Sequence, residues 1–419
     1  MTLVHRLSPA VTADAGVLGG KAHGLVVMMG LGLPVPPGFV IATSACRAFL
    51  RDGRLPGGLE AAICDMRPAE RVSVRSGAAV SMPGMMDTFL NVRPGRGVLE
   101  AVAAVFASWH SPRATSYRHL HDIPHDLGTA VIVQAMVFGD RDEHSGSGVA
   151  FSRDPSTGAP SPYGEVLFGR PGADVVSGRT ATRPLAELAD REPGVWAALL
   201  DGLARVERHY RDVCHVEFTF ESGRLWFLQV RPGGLAGRAA VRVAVDLVDE
   251  GVIDRATAVR RVSAAQLRAA RTPRIVAARV LARGLGASPG VAAGRIAVTA
   301  DRAARMAPDG PVILVRPHTS PLDMHGLAAA AGIVTTVGGP TSHAAVVARS
   351  MGRPAVVGAS ALTVDPGAGI VRVDGRSLPE GVLITIDGSG GEIVAGPAET
   401  VAGDADPHLQ RLVGWAAPV

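Results

Sequence analysis

Short apolar runs broken by Gly/Pro turns fill the first 95 or so residues. Leu31-Gly32-Leu33-Pro34-Val35-Pro36-Pro37-Gly38-Phe39-Val40-Ile41 reads as a turn feeding a strand. Between 97 and 121 the spacing becomes helical, with Val98-Leu99, Val102 and Val105-Phe106 recurring at helix intervals. The run Ala130–Phe138 is continuous enough for a buried strand. With Gly148-Val149-Ala150-Phe151 beyond a Gly/Ser loop it predicts a hairpin. A second hairpin is predicted over 214–231, where Val216–Phe220 and Leu225–Val230 flank Glu221-Ser222-Gly223. Residues 236–283, rich in Ala and Arg, carry helical spacing. From Ser288-Pro289-Gly290 to about residue 397, short strands alternate with two helical segments. The end, 403–419, is polar before Leu412-Val413-Gly414-Trp415-Ala416, and there is no internal repeat. The pattern predicts an α/β (α+β) chain of more than one domain.

Composition narrows the function classes. A length of 419 residues leaves room for two or three domains. Hydrophobic content of 47% reflects Ala and Val, and no apolar run reaches the roughly 18 residues of a membrane span. The N-terminus Met1-Thr2-Leu3-Val4-His5-Arg6 lacks a secretory pattern. Cys46, Cys64 and Cys214 are scattered and odd in number, which predicts a cytoplasmic chain without a disulfide framework. A net charge of +4 invites nucleic acid, yet the arginines are dispersed and aromatics make up only 4%. Nucleic-acid and membrane partners are therefore not expected, and anionic phosphate ligands are the better use of the charge.

Three constellations carry candidate chemistry. In Gly338-Gly339-Pro340-Thr341-Ser342-His343-Ala344-Ala345-Val346-Val347-Ala348-Arg349, a flexible turn delivers His343 onto the first turn of a helix. Unpaired N–H groups and the macrodipole there would receive a phosphoryl group. Taken alone, the string also fits an ordinary helix capped by Thr341 or Ser342 beside a surface histidine. Second, of 42 Lys+Arg only Lys21 is a lysine, set in Leu18-Gly19-Gly20-Lys21-Ala22. A compact ammonium after a Gly-Gly turn suits phosphate oxygens. Val74-Arg75-Ser76-Gly77 and the loop Ser81–Thr88, including Gly84 and Thr88, offer backbone N–H groups and a guanidinium to a polyphosphate, or are simply a Gly/Pro loop. Third, Glu217 lies twelve residues before Gln229, with Arg231 beyond on the same face by period 2. A hairpin would set a magnesium carboxylate beside a phosphate-binding arginine, although a solvated strand edge has the same spacing.

Together these segments resemble the pyruvate, phosphate dikinase family. The matching stretches are Gly19-Gly20-Lys21, Gly32–Phe39, Val74–Thr88, Val133–Gly139, Gly148–Phe151, Glu217-Phe218-Thr219, Leu228-Gln229-Val230-Arg231, and Gly338–Arg349 continued to Gly358. The resemblance implies an ATP-grasp nucleotide-binding domain (1–235), a helical connector (236–284), a swivelling β/β/α phosphohistidine domain (285–400) and a C-terminal tail (401–419). It implies ATP and Mg²⁺, with Lys21, Arg75, Gly84, Thr88 and Gln229 on the nucleotide and Glu217 with Gln229 on the metal. Arg231 would assist transfer, and His343 would carry the phosphoryl group, discharging AMP from ATP and pyrophosphate from inorganic phosphate. Thr341 matches a threonine that a regulatory kinase/phosphorylase modifies in some members, where added charge would block the neighbouring histidine.

The sequence departs from that pattern in three places. Only about 40 residues separate Asn91 from Ala130, where members carry a long helical insertion. His215 stands two residues before Glu217, where an acidic residue is usual. Gly414-Trp415-Ala416 resembles the linker into a phosphoenolpyruvate/pyruvate barrel for which this sequence has no counterpart, so a separate barrel subunit is the expected partner. Two other readings use the same residues: a degenerate, non-catalytic nucleotide-binding or regulatory protein, and a phosphotransferase with a different acceptor.

Overall fold

In the computed structural model the chain divides into two compact units. One comprises Met1–Phe151, Gly164–Tyr210 and Cys214–Pro232; the other comprises Ser152–Tyr163, Arg211–Val213 and Gly233–Val419. The structure describes all residues except 1, 81, 83–84, 121, 156, 172–181, 236, 277–278, 340–341, 402–405 and 417–419.

The first unit holds two five-stranded sheets. In one, β1 (Val4–Arg6), β2 (Gly38–Ile41), β3 (Val72–Gly77), β4 (Thr88–Val92) and β5 (Ala130–Ala135) are ordered β1-β2-β5-β3-β4. The apolar run of β5 is buried from Ala130 to Val133, as a central strand requires. Val98, Val102, Val105 and Phe106 of the helix Arg96–Ala107 share a core with Phe39, Val72, Val74, Val131 and Val133. The helical region ends that helix at Ala107, passes through a 3₁₀ turn, and restarts at Pro112, whose missing N–H prevents one continuous helix.

The other sheet joins β6 (Gly146–Phe151), β7 (Tyr163–Phe168), β8 (Arg183–Pro184), β9 (Cys214–Glu221) and β10 (Arg224–Pro232) in the order β10-β9-β6-β7-β8. The hairpin predicted between 130–138 and 148–151 does not form. Strand β5 is paired on both sides, by β2 and β3, so no edge is left for β6, which pairs with β9 instead. The predicted 214–231 hairpin is present, closed by Ser222 and Gly223 with φ of 49° and 75°, the backbone of a tight two-residue turn. The helix Pro193–Tyr210 sends Val195, Leu199, Leu203 and Val206 into the core beneath this sheet with Phe218, Phe220 and Phe227. Gly202 permits that approach, since a Cβ there would lie 2.3 Å from Cζ of Phe227.

The second unit has a helical layer and a large sheet. Helices Gly237–Asp249, Arg255–Arg261 and Ala264–Ala270 pack Val241, Val245, Leu247 and Ala258 together. The stretch read as a tail contributes a helix, Pro407–Ala416, whose Leu409 and Leu412 enter the same core. The end of the presumed helical connector is extended: β11 (Arg274–Ile275) and β12 (Val280–Arg283) follow the last helix.

The sheet adds β13 (Leu285–Ser288), β14 (Val291–Ala297), β15 (Val312–Arg316), β16 (Gly332–Thr335) and β17 (Ala355–Val357). After a small sheet of β18 (Thr363–Asp365), β19 (Ile370–Val373) and β20 (Arg376–Pro379) come β21 (Leu383–Asp387), β22 (Glu392–Ala395) and β23 (Thr400–Val401). The eight-stranded order is β12-β22-β21-β14-β15-β16-β17-β13, while β23 pairs with β11. Strands β14 to β17 are parallel, joined by crossover helices Ala300–Met306, Met324–Ala329 and His343–Ser350. That is one helix more than the pattern predicted, because the six residues of Met324–Ala329 are too few to show a period. Side-chain alternation divides two cores. Ile313 and Val315 join Val371 and Val373, whereas Val312 and Leu314 join Ala344, Ala345 and Ala348 of the third helix. No helix among the described residues is long and apolar enough to cross a membrane.

Candidate functional site

Lys21 is placed by backbone that only glycine can form. Gly19 has φ 77° and ψ 151°, and a Cβ there would stand 1.5 Å from the Gly77 carbonyl oxygen. Gly20 N–H donates to Ala78 O at 3.0 Å, which pins the start of the helix Gly20–Gly30 to the end of β3. Lys21, second in that helix, is thereby brought within range of the charges of Arg75, Glu217 and Arg231. Burial, reinforced by the Arg75 guanidinium, pushes its pKa down to about 8, against the pull of Glu217.

Arg75 projects from β3 towards the other sheet. One Nη donates to the side-chain oxygen of Gln134 and to the Leu228 carbonyl, the latter at 3.3 Å. Gln134 is held in turn by donating to Pro36 O at 2.9 Å. The Leu228 carbonyl is available because the β10 register slips between Phe227 and Gln229, leaving Leu228 unopposed. Nε of Arg75 is buried and has no partner among the described residues, and burial lowers the arginine's pKa. A guanidinium does not deprotonate in proteins, so this orphan donor calls for an anion. Thr88 is exposed and lies directly across from Arg75 on β4. Gly84 lies outside the described residues.

After the slip, Gln229 pairs with Glu217, and Arg231 with His215. Arg231 donates to Glu217 at 3.4 Å, and Gln229, with its amide oxygen towards the guanidinium, accepts from Arg231 at 2.7 Å. His215 stacks on Phe151 at 4.5 Å and 18°. Burial pushes its pKa down to about 4, so near neutrality it is an uncharged ring where a second carboxylate was expected. Among the described residues no cluster of three or more His, Cys, Asp or Glu could form an all-protein cage. One carboxylate and one amide oxygen still suit Mg²⁺, which commonly takes one or two protein ligands and completes its shell with phosphates and water.

In the second unit His343 is the first residue of the helix His343–Ser350, as the sequence predicted. Gly338, at φ 107°, shapes the preceding turn, and Ser342 N–H donates to Gly339 O at 2.9 Å. Ala344, Ala345 and Ala348 are buried, which fixes the helix on the sheet. Ser342 occupies the cap position, but its hydroxyl is buried and makes no cap bond or other hydrogen bond among the described residues. Thr341 lies outside the described residues.

Sequence reading missed the group that holds the ring: Thr319 Oγ1 lies 3.0 Å from Nδ1 of His343. Its only signal was the polar run His318-Thr319-Ser320 after the β15 strand. Gln134 was missed as a site residue too, although an amide at the end of the apolar run Ala130–Val133 marks a buried polar role.

Two domain families match this chain. Residues 58–192 match "Pyruvate phosphate dikinase, AMP/ATP-binding domain", and residues 308–391 match "PEP-utilising enzyme, mobile domain". Pyruvate, phosphate dikinase of Rhizobium meliloti is 36% identical over 523 residues, covering 96% of this chain and 58% of that protein. The Clostridium symbiosum enzyme of the same name is 34% identical, covering 99% and 60%, and pyruvate, phosphate dikinase 2 of Zea mays is 36% identical, covering 96% and 58%. An alignment of 523 residues against a 419-residue chain means that the relative carries on the order of a hundred residues without counterparts here. D-alanyl-alanine synthetase A of Vibrio cholerae superposes with a TM-score of 0.33 at 12% identity over 56% of this chain and 60% of that one, too distant to carry an argument. The chain spans about three-fifths of the length of the dikinases it matches, and over that span it belongs to the pyruvate, phosphate dikinase family.

Proposed function

We propose that the chain is an ATP-dependent phosphotransferase that phosphorylates its own His343 in the dikinase manner, with an ATP-grasp domain over about 1–235 and a phosphohistidine domain over about 285–400. The observation that carries this reading is the set of Lys21, Arg75 and Arg231 gathered around Glu217, with a buried N–H on Arg75 that has no partner among the described residues. Three cations around one carboxylate suit a polyphosphate. Bound there, Mg²⁺ on Glu217 and Gln229 would neutralise phosphate charge. Lys21 and the arginines would hold the phosphates in line and stabilise charge on the leaving AMP.

The proposed nucleophile is Nε2 of His343. With Nδ1–H donating to Thr319, the Nε2 lone pair forms a bond to the β-phosphorus of ATP. The bond from that phosphorus to the AMP oxygen breaks, and AMP leaves with the electron pair. An oxygen of inorganic phosphate then attacks the outer phosphorus. Pyrophosphate departs, and a phosphoryl group stays on Nε2. The imidazolium formed on attack keeps its proton on Nδ1, which donates it in a hydrogen bond to the Thr319 oxygen. Delivery to pyruvate would use a phosphoenolpyruvate/pyruvate barrel on a separate subunit. A regulatory kinase/phosphorylase acting at Thr341 would switch the adjacent histidine off by charge. The three cysteines carry no disulfide, which suits the cytoplasm.

The test is ³¹P NMR of ATP mixed with stoichiometric protein, Mg²⁺ and inorganic phosphate. A stoichiometric burst of AMP, with pyrophosphate appearing only when inorganic phosphate is present and both lost in His343→Asn, supports the half-reaction. ATP that binds and stays intact, or is converted to ADP, contradicts it.

A further inference from the structure

The second unit contains a cavity of about 470 Å³ remote from His343 in the chain, where the helices Gly237–Asp249 and Pro407–Ala416 meet β11 and the β21–β22 hairpin. We propose that it is a second ligand site, binding the phosphoryl dianion of a small metabolite through Arg242 and Arg274.

Three guanidinium groups line the cavity. Arg238 and Arg242 stand one turn apart on the first helix, and Arg274 comes from β11. The acidic groups in the wall are already committed. Asp387 is buried and accepts from Ser389 N at 2.8 Å, Gly390 N at 2.9 Å and Arg238 at 3.2 Å. Glu392 accepts from Arg283 at 2.6 Å. Asp406 caps the Pro407–Ala416 helix by accepting from His408 N at 2.9 Å and Leu409 N at 3.3 Å. Arg238 is thus spent on Asp387. Among the described residues Arg242 has long contacts, at 3.4 Å each: an ion pair with Asp246 and a hydrogen bond to the Thr157 carbonyl. Arg274 has no hydrogen-bonded or ionic partner among the described residues, and its β11 position pairs in the backbone ladder with Val401.

Arginine stays charged, so the half-buried Arg274 guanidinium, with no partner among the described residues, leaves a positive charge uncompensated in this half-open cleft, beside an Arg242 held only at 3.4 Å by Asp246. Their forked donors match phosphoryl oxygens bidentately. The volume lies in the range of small-molecule sites and exceeds what a bare phosphate fills, which favours a phosphate monoester over the free ion. Because β11 and β23 are the strands through which the chain enters and leaves the eight-stranded sheet, a ligand bridging Arg242 to Arg274 would tie the helical layer to that joint. This site is independent of the reading proposed for His343.

The test is titration calorimetry of the full chain at low ionic strength with glycerol 3-phosphate and, separately, inorganic phosphate. Arg75→Gln serves as the control that disables the first unit's cluster. The proposal expects binding that persists in Arg75→Gln, weakens at least about tenfold in Arg274→Gln, and is partly regained in Arg274→Lys, which keeps charge without the fork. Arg274→Gln breaks no ion pair, so its unliganded melting temperature should match that of the parent chain. Tighter binding of the ester than of the free ion identifies a metabolite as the source; the reverse order identifies inorganic phosphate, with the same dianion site. Absence of binding by either probe, binding unaffected by Arg274→Gln, or loss of all binding in Arg75→Gln overturns the proposal.

Discussion

The Thr319 hydroxyl and Nδ1 of His343 are 3.0 Å apart, joining the loop after β15 to the first residue of the helix that follows β16. Only when Nδ1–H donates to the threonine oxygen does Nε2 keep its lone pair. A hydroxyl can donate or accept, so the contact aims the ring, and the attacking tautomer is the one in which Thr319 accepts. Thr319 acts through His343, as a positioning residue. Thr319→Ala is expected to slow phosphorylation of His343 by about ten- to a hundredfold with ATP binding unchanged. Thr319→Ser should restore most of the rate. The check is single-turnover AMP release, with ¹⁵N NMR of the ring to read the tautomer. An unchanged rate with a scrambled tautomer would remove Thr319 from the account.

The pKa of Lys21 is pushed down to about 8, chiefly because the half-buried ammonium is desolvated. Nucleotide phosphates favour its charged form, so affinity should fall as pH climbs through 8. Between about 8 and 9, binding should take up a proton, measurable by calorimetry in buffers of different ionisation enthalpy. For stability the sign is opposite to that of a salt-bridged lysine. The folded value lies below the ordinary 10.5, so the unfolded chain binds more protons between 8 and 10.5, and stability gains with pH across that window. Lys21→Met should accordingly weaken nucleotide binding about tenfold or more without lowering the melting temperature. A matching loss of stability would mark Lys21 as structural.

His215 offers a second pH test. Its folded pKa of about 4 lies below the ordinary 6.5, so its contribution is complete above 6.5 and disappears as pH falls from 6.5 to 4. The loss attributable to it is up to about 3 kcal/mol. His215→Phe keeps a ring against Phe151 and cannot titrate. Denaturant unfolding at pH 6.5 and pH 4.5 should show a smaller acid loss in that variant than in the parent, and equal losses would exclude His215 as the source.

Much of this arrangement was legible in residue order. His343 after a Gly-Gly turn, the 214–231 hairpin and the pairing of Glu217 with Gln229 follow from local spacing. The failures are non-local. Nothing in 130–151 shows that β5 has both edges filled by distant strands and that β6 must join another sheet. The single slip at Leu228 that presents a carbonyl to Arg75 is likewise invisible to a period-2 pattern. Thr319 escaped because a threonine in a polar loop has no signature until the fold brings it against the ring.

Gly19→Ala tests whether the Gly-Gly turn is what delivers Lys21. A Cβ would strike the Gly77 carbonyl, and the backbone conformation is one that side chains rarely adopt. The expected cost is about 3 kcal/mol or more, together with weaker nucleotide binding. Thermal melts and nucleotide titration of the same preparation check both, and an alanine variant that binds nucleotide normally would show that the turn is dispensable.

The most direct test of the central claim is incubation of the full chain with β-³²P-ATP and Mg²⁺, followed by peptide mapping under alkaline conditions. The account predicts acid-labile, base-stable label on the peptide containing His343, absent from His343→Asn. Nucleotide binding without label on that peptide would contradict it and leave a nucleotide-binding protein without phosphotransfer.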